Sequence, residues 1–464
     1  MEIRYGVKAT PKEMGWGRTI ICAIQQMLAI MAATLLVPMI VFWQTGLELD
    51  PSAALAGAGV GSIVYLLFTK RRSPVFLGSS FAFLGAMTGA ATAGYGYFGL
   101  IVGAIFAGLI YVAIAVIIRF THTKWVDKLM PAVIIGPTVA LIGLSLSTTA
   151  GNWAMFNGTT GYNFISIICA LVTFFIIVLS SAKGNKTMKL IPFVIGICGG
   201  YIVSLLFTVI GIVADVTYLQ VLDLSSFSSA FSGNVFSWFI SAPKFTIVEA
   251  FKQGWLLDWV AIGDIALLFM PIAFVVFAEH IADHKNLSTI INTDLTKDPG
   301  LTRTLLGDGI GSIAGAFVGA CPNTTYGESI GCVAITGNAS TWTIVVAAIG
   351  CVVLSFFTPF VAVVNSIPKC VMGGACIALY GFIAVSGLKM LKEVDLGNEK
   401  NLFVVSAILV VGIGGIMLDF GKVKVTSIAT ALIVGILTNL IVGGFANKKE
   451  VVEEQTTATT NQEK

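Results

Sequence analysis

The chain has 464 residues, of which 56% are hydrophobic and only 11% are charged, and its net charge is +3. Soluble domains carry about 25% charged residues, so this composition excludes a soluble enzyme, a nucleic-acid-binding protein and a disordered scaffold. The polar first 18 residues lack the apolar core and cleavage site of a signal peptide. We therefore expect a membrane protein that begins with a cytoplasmic segment, 1–18.

Stretches long enough to cross a bilayer occur along the whole chain. A bilayer core requires about 20 apolar residues per helix, and twelve stretches meet that requirement: 19–43, 52–69, 97–119, 129–149, 162–181, 189–214, 259–281, 303–320, 340–363, 367–388, 401–418 and 424–445. Two more, 73–92 and 321–337, contain Pro, Gly and polar residues, which lipid tolerates only where the backbone lines a cavity. We predict that both cross as broken spans, which makes fourteen spans.

The distribution of basic residues supports that count. With the N-terminus inside, 22 of the 27 Lys and Arg residues lie on the inner side and 5 on the outer side, as the positive-inside rule requires. The longest break, 215–258, then becomes an extracellular connection, and the charged tail 446–464 lies in the cytoplasm.

Fourteen spans divide into two units of seven, and the second copy of an odd-numbered unit must insert upside down. The spacing of Pro131 and Gly136 recurs in Pro368 and Gly373, and the two broken spans occupy matching places in the two halves. Chance matching among small apolar residues is the alternative explanation. The sequence thus predicts an all-α polytopic membrane protein built as a 7+7 inverted repeat.

Acidic residues occur inside these spans, where a charge costs about 3 kcal/mol and therefore marks a functional site. Glu279 and Asp283 are four residues apart, which places both carboxylates on one helical face. Their mutual repulsion and the low dielectric favour protonation of at least one, so we predict that this pair carries a proton. The alternative for Asp283 is a solvated helix end beside Lys285.

Glu328 follows a broken segment that includes Pro322 and Gly327. A half-helix that begins there would direct free N–H groups and a positive helix end into a cavity. Residues 78–81 offer the same arrangement from the other half. Backbone donors beside carboxylate acceptors suit a small planar ligand with alternating C=O and N–H groups, on which the ring of Phe81 would stack.

The sequence leaves the role of one further residue open and argues against metal binding by two others. Asp308 lies among glycines that permit close helix packing, and it either bonds to the broken segment or belongs to the proton pathway. His280 and His284 have the spacing of metal ligands on a helix, but Ile281 stands where the metalloprotease motif requires Glu. We therefore expect no metal site, and the chain offers no nucleophile–base pair that would indicate an enzyme.

Three motifs, 277–284, 323–328 and 77–83, resemble the nucleobase–ascorbate transporter family of nucleobase–cation symporters, and most closely its bacterial uracil permeases. The resemblance implies a homodimer and short antiparallel strands in spans 3 and 10. It also implies a core domain formed by spans 1–4 and 8–11 and a gate domain formed by spans 5–7 and 12–14. These domains correspond to 19–119 with 259–363 (core) and 120–214 with 364–445 (gate).

The resemblance further implies roles for individual residues. Glu279 and Glu328 would accept the N–H groups of a base, and the backbone near Phe81 and Gly327 would donate to its carbonyls. Tyr326 and Ser80 would line the pocket, and Asp283 would couple transport to protons. The chain departs from the family pattern at Gln26, where His is usual, and at Ser329, where Asn is common.

Together these features predict uptake of a nucleobase by alternating access, with uracil first and xanthine or another oxopurine as the alternative. The driving force would be the proton gradient, without any cofactor, and both termini would lie on the cytoplasmic side of the cell membrane. An anion exchanger of the same architecture is the rival transporter, which two glutamates in the pocket disfavour. A membrane-embedded enzyme is the rival of a different class.

Overall fold

The computed structural model describes residues 3–121, 130–159, 161–232, 235–419 and 424–442. In this part of the chain, eight helices are long and apolar enough to cross a membrane: Trp16–Thr45, Pro51–Phe68, Gly96–Thr121, Ala132–Phe156, Phe164–Ala182, Pro192–Val213, Trp259–Ile291 and Lys369–Met390. The prediction of a helical, multi-pass membrane protein is therefore confirmed. The count of fourteen spans and the 7+7 layout stay predictions.

The longer helices and the strands follow one another in this order: α1 (Trp16–Thr45), α2 (Pro51–Phe68), β1 (Leu77–Ser79), α3 (Leu84–Thr92), α4 (Gly96–Thr121), α5 (Ala132–Ser145), α6 (Ser147–Phe156), α7 (Phe164–Ala182), α8 (Pro192–Val213), α9 (Trp259–Ile291), α10 (Leu301–Gly319), β2 (Asn323–Thr325), α11 (Gly327–Thr336), α12 (Thr341–Ser355), α13 (Thr358–Ser366), α14 (Lys369–Met390), α15 (Glu399–Ile413), β3 (Leu418–Asp419), β4 (Lys424–Val425) and α16 (Ser427–Val442). There are also four short helices in the described residues: Pro11–Met14 before α1, Lys186–Leu190 between α7 and α8, and Ser225–Ala230 and Thr246–Gln253 between α8 and α9. The last two of these belong to the connection 215–258.

The chain divides into two compact units, residues 1–122 with 146–381 and residues 123–145 with 382–464. In the second unit, α15 packs on α5 so closely that a Cβ on Gly412 would lie 2.0 Å from Leu141 Cδ2. These two units are defined by the contacts within each of them, whereas the core and the gate are defined by how they would move during transport. The predicted core and gate ranges therefore stay a prediction.

Helices α2 and α10 of the first unit touch through their backbones. A Cβ on Gly57 would lie 2.5 Å from the carbonyl oxygen of Gly315, and one on Gly61 would lie 2.8 Å from that of Gly311. The reverse contacts, from Gly315 and Gly311, are 2.9 and 2.7 Å. Only glycine fits at such a crossing, so these four residues bring together the two helices that precede β1 and β2.

Strands β1 and β2 pair antiparallel, with Leu77 opposite Thr325 and Ser79 opposite Asn323. Hydroxyl groups of the two preceding helices satisfy backbone groups at the outer edges of this pair. Ser62 Oγ accepts from the Leu77 N–H (2.8 Å) and donates to the Leu77 carbonyl (3.2 Å), and Ser312 Oγ accepts from the Asn323 N–H (2.8 Å). Because buried backbone groups require such partners, two strands of three residues each are stable here.

The N-terminal segment lies along the connection between α11 and α12. The Arg4 N–H donates to the Gly337 carbonyl (2.8 Å), and the Ala339 N–H donates to the Tyr5 carbonyl (2.9 Å). Ser340 Oγ also donates to the carbonyl of residue 9 (2.6 Å). This short parallel pairing fixes the C-terminal end of α11, the half-helix that begins next to Glu328.

Candidate functional site

The carboxylates of Glu279 and Asp283 lie on one face of α9, and both residues are half-buried. Asp283 Oδ2 accepts a hydrogen bond of 2.7 Å from Thr325 Oγ1, which joins α9 to the end of β2. Glu279 lies within electrostatic range of both Asp283 and Glu328. The structure therefore brings these three acidic residues together, although Glu328 belongs to a different part of the chain.

Glu328 lies in the first turn of α11, directly after the buried residues 321–326. Gly327, the first residue of this helix, is exposed, and a Cβ built on Gly327 or on Gly331 would meet no atom of the described residues within 4 Å. The first N–H groups of a helix have no partner within it, and the helix dipole makes this end positive. An open space therefore adjoins a helix end that attracts negative charge and offers donors.

Ser80 and Phe81 follow β1 in the corresponding place. The Ser80 N–H donates to the Pro322 carbonyl (2.9 Å), and Ser80 Oγ is buried without a hydrogen-bond partner among the described residues. Phe81 is 8% exposed, and its ring meets that of Tyr380 edge to face with centroids 5.8 Å apart. Residues 81–83 form one turn of 3₁₀ helix that leads into α3, so free N–H groups begin this segment as well.

Tyr326 connects the two strands. Its hydroxyl donates to the Ser79 carbonyl at 2.6 Å, and its ring covers Gly78, where a Cβ would lie 2.5 Å from Tyr326 Cζ. Tyr326 is almost completely buried. Its hydroxyl is therefore committed to the backbone of β1, and Gly78 makes room for the ring.

Asp308 pairs with a histidine of α9. His280 Nδ1 lies 2.6 Å from Asp308 Oδ2, and His280 Nε2 lies 3.0 Å from Thr304 Oγ1. All three side chains are fully buried. The described residues give Asp308 no hydrogen bond to the broken segment, and its second oxygen, Oδ1, has no partner among them.

The two departures from the family pattern contact each other. Gln26 Nε2 donates to the Ser329 carbonyl (3.3 Å), and Ser329 Oγ accepts from the Phe76 N–H (3.2 Å). Ser329 thus ties the first turn of α11 both to α1 and to the residue before β1. The sequence contained no spacing signal for these contacts, because they join residues more than 250 positions apart.

Known proteins similar to this chain agree in class. A family model described as Permease family (xanthine/uracil permeases) matches residues 17–420. The chain is 38% identical over 443 residues to the uracil permease of Bacillus caldolyticus, with 95% of each chain covered. It is 36% identical over 463 residues to the uracil permease of Bacillus subtilis (strain 168), with 98% of each covered.

Among solved structures, the transmembrane domain of the cyanobacterial bicarbonate transporter BicA is similar, with a TM-score of 0.57 over 91% of this chain and 98% of that one. The two sequences are 14% identical. At that level the likeness concerns the fold alone.

Proposed function

This chain belongs to the Permease family of xanthine and uracil permeases, and from that premise we propose that it imports uracil together with protons. One observation carries the proposal. Three acidic residues, Glu279, Asp283 and Glu328, converge beside the ends of two paired strands in a chain that is 38% identical to a uracil permease. The permease names of the matching family and of the relatives favour a transporter rather than an enzyme.

Uracil is flat and alternates N–H donors with carbonyl acceptors, and the residues around the open space complement that pattern. Glu279 and Glu328 would accept the two ring N–H groups. An ionised carboxylate is a strong acceptor, and a carboxyl group that carries a proton still accepts through its other oxygen. The free N–H groups at the starts of the segments beginning with Phe81 and Gly327 would donate to the two carbonyls. Ser80 Oγ, which has no hydrogen-bond partner among the residues that the structure describes, supplies one more polar atom. Phe81 would stack on the ring, and Tyr326 would line the pocket.

The crowding of like charges supports the proposal of proton coupling. Carboxylates in close proximity cannot all remain ionised in a site of low dielectric, so at least one proton would enter with the base. Asp283 and Glu279 would carry it, and Asp308, which also lies in electrostatic range of Glu279, is the third candidate. One proton falling through 100 mV releases about 2.3 kcal/mol, and each pH unit adds about 1.4 kcal/mol. That is sufficient for a tens- to hundred-fold accumulation.

The same proposal extends to orientation and assembly. The transporter would lie in the cell membrane with both termini in the cytoplasm, work by alternating access of core against gate, and form a homodimer. Xanthine is the alternative substrate, because an oxopurine presents a similar edge of alternating donors and acceptors. The fold likeness to a bicarbonate transporter raises anion exchange as a second candidate. An anion would be repelled by the three carboxylates, so we rank that candidate below nucleobase uptake.

Uptake by reconstituted protein tests the proposal. Proteoliposomes would receive labelled uracil with and without an inward acid gradient, in the presence of xanthine or bicarbonate as competitors. We expect uptake that the acid gradient stimulates and that Glu279→Gln or Glu328→Gln abolishes. Uptake that is independent of the acid gradient would exclude proton coupling. Full activity of both glutamine variants would show that uracil does not bind at these glutamates.

A further inference from the structure

A second polar stripe runs along α9 beside the carboxylates. His280 and His284 are four residues apart and share one face of the helix, about 100° from the face of Glu279 and Asp283. Whereas the two carboxylates are half-buried, both histidines are fully buried. The proposed function uses the first stripe and assigns no role to the second.

The histidine stripe ties α9 to its two neighbours. His280 joins α10 through Asp308 (2.6 Å) and Thr304 (3.0 Å). His284 Nδ1 donates to the His280 carbonyl (2.8 Å), and His284 Nε2 lies 2.7 Å from the hydroxyl of Tyr65 in α2.

That tyrosine hydroxyl also lies 2.8 Å from Ser73 Oγ, just before β1. Every side chain in this chain of contacts is fully buried. One continuous set of hydrogen bonds therefore reaches from α10 through α9 to the approach of β1.

The backbone of α9 needs such support. Pro271 lies inside the helix, and a proline there removes one backbone hydrogen bond and bends the helix. The segment that follows, 272–291, carries both Glu279 and Asp283. Its position relative to β1 and β2 depends on contacts made by its side chains. On the carboxylate face, the hydrogen bond of Asp283 with Thr325 joins the helix to β2.

We propose that His280 and His284 are positioning residues: their hydrogen bonds to α10 and α2 fix α9 so that Glu279 and Asp283 stand at the distance from the strand pair that a base requires. This inference rests on the proposed function. It assigns to Asp308 the role of partner to His280. In this inference the histidines act through the position of α9 and not through contact with the base.

Paired substitutions test the inference, because removing both partners avoids an unpaired buried charge. His280→Leu/Asp308→Leu breaks the link to α10, and His284→Leu/Tyr65→Phe breaks the link to α2 without touching Asp308. His280→Asn keeps a donor near the place of Nδ1. Asn286→Ala, an exposed change on the same helix, is the matched control. Each purified protein is checked for a monodisperse elution profile before uracil binding is measured by calorimetry.

We expect each double variant to bind uracil at least tenfold more weakly than the natural chain, and His280→Asn and Asn286→Ala to stay within threefold. Wild-type affinity in both double variants, or an equal loss in His280→Asn, would overturn the inference. Hydrogen–deuterium exchange of peptides from 272–291, measured without uracil, provides an independent readout. We expect faster exchange in the double variants alone, and unchanged exchange would also overturn the inference. If the natural chain fails to bind uracil, the proposed function is refuted. The exchange data alone then test whether the histidines hold the segment 272–291 in place.

Discussion

Helices α2 and α10 are in backbone contact, so adding a single methyl group at this contact should destabilise the fold. In Gly61→Ala the new Cβ would lie 2.4 Å from Asn323 Nδ2 and 2.8 Å from the Gly311 carbonyl oxygen. Overpacking costs about 1–3 kcal/mol, and displacing Asn323 breaks its hydrogen bond to the Gly57 carbonyl (3.1 Å). The buried Asn323 amide group, left without that acceptor, costs about 1–3 kcal/mol more, whereas the higher helix propensity of Ala returns about 1 kcal/mol.

The net loss of unfolding free energy is about 3 kcal/mol, which lowers Tm by about 3 °C for a chain of this size. Gly263→Ala is the matched control, because Gly263 lies in α9 and is exposed, and a Cβ built on it would meet no atom within 4 Å in the part of the chain that the structure describes. Thermal unfolding of the purified proteins in detergent measures both. If Gly61→Ala and Gly263→Ala unfold within about 1 °C of each other, the two helices are not held in backbone contact and the reasoning is refuted.

Three further predictions concern the strands, the site and the surface. Glu328→Gln should weaken uracil binding about 10- to 100-fold in calorimetry, because a hydrogen bond to a charged acceptor contributes about 1.5–3 kcal/mol; unchanged affinity would show that this carboxylate does not face the base. Tyr326→Phe leaves the buried carbonyl of Ser79 without its donor and should lower the unfolding free energy by about 1–3 kcal/mol in a thermal assay; an unaltered Tm contradicts the bond. Asp298→Asn removes an exposed ion pair with Arg72 and should change stability by at most about 1 kcal/mol, so a larger loss in the same thermal assay would mean that the pair is more than a surface contact.

The features that the sequence predicts well are local. Apolar stretches of about 20 residues identify membrane helices because length and hydropathy alone decide insertion, and the helical, multi-pass class is accordingly confirmed. Spacing of four places Glu279 and Asp283 on one face of a helix, because one turn has 3.6 residues. Hydropathy does not identify broken spans with the same certainty, since Pro322 and its polar neighbours interrupt the pattern on which span counting depends.

The features that the sequence does not predict depend on which helices meet. His280 follows directly after Glu279, yet its pairing with Asp308 exists only because α9 packs beside α10. The same holds for Gln26 and Ser329, which appeared in the sequence as two unrelated departures from the family pattern. No local spacing relates such residues, so only the folded chain shows that they touch.

The pairing of residues 4–9 with the connection after α11 has a practical consequence for anyone who purifies this transporter. An affinity tag or fluorescent fusion at the amino end would disturb a segment whose backbone forms hydrogen bonds with Gly337 and Ala339. That segment holds the far end of the half-helix whose first turn carries Glu328. A tag at the carboxyl end is not attached to this segment, so it is the better choice for work on detergent-solubilised protein.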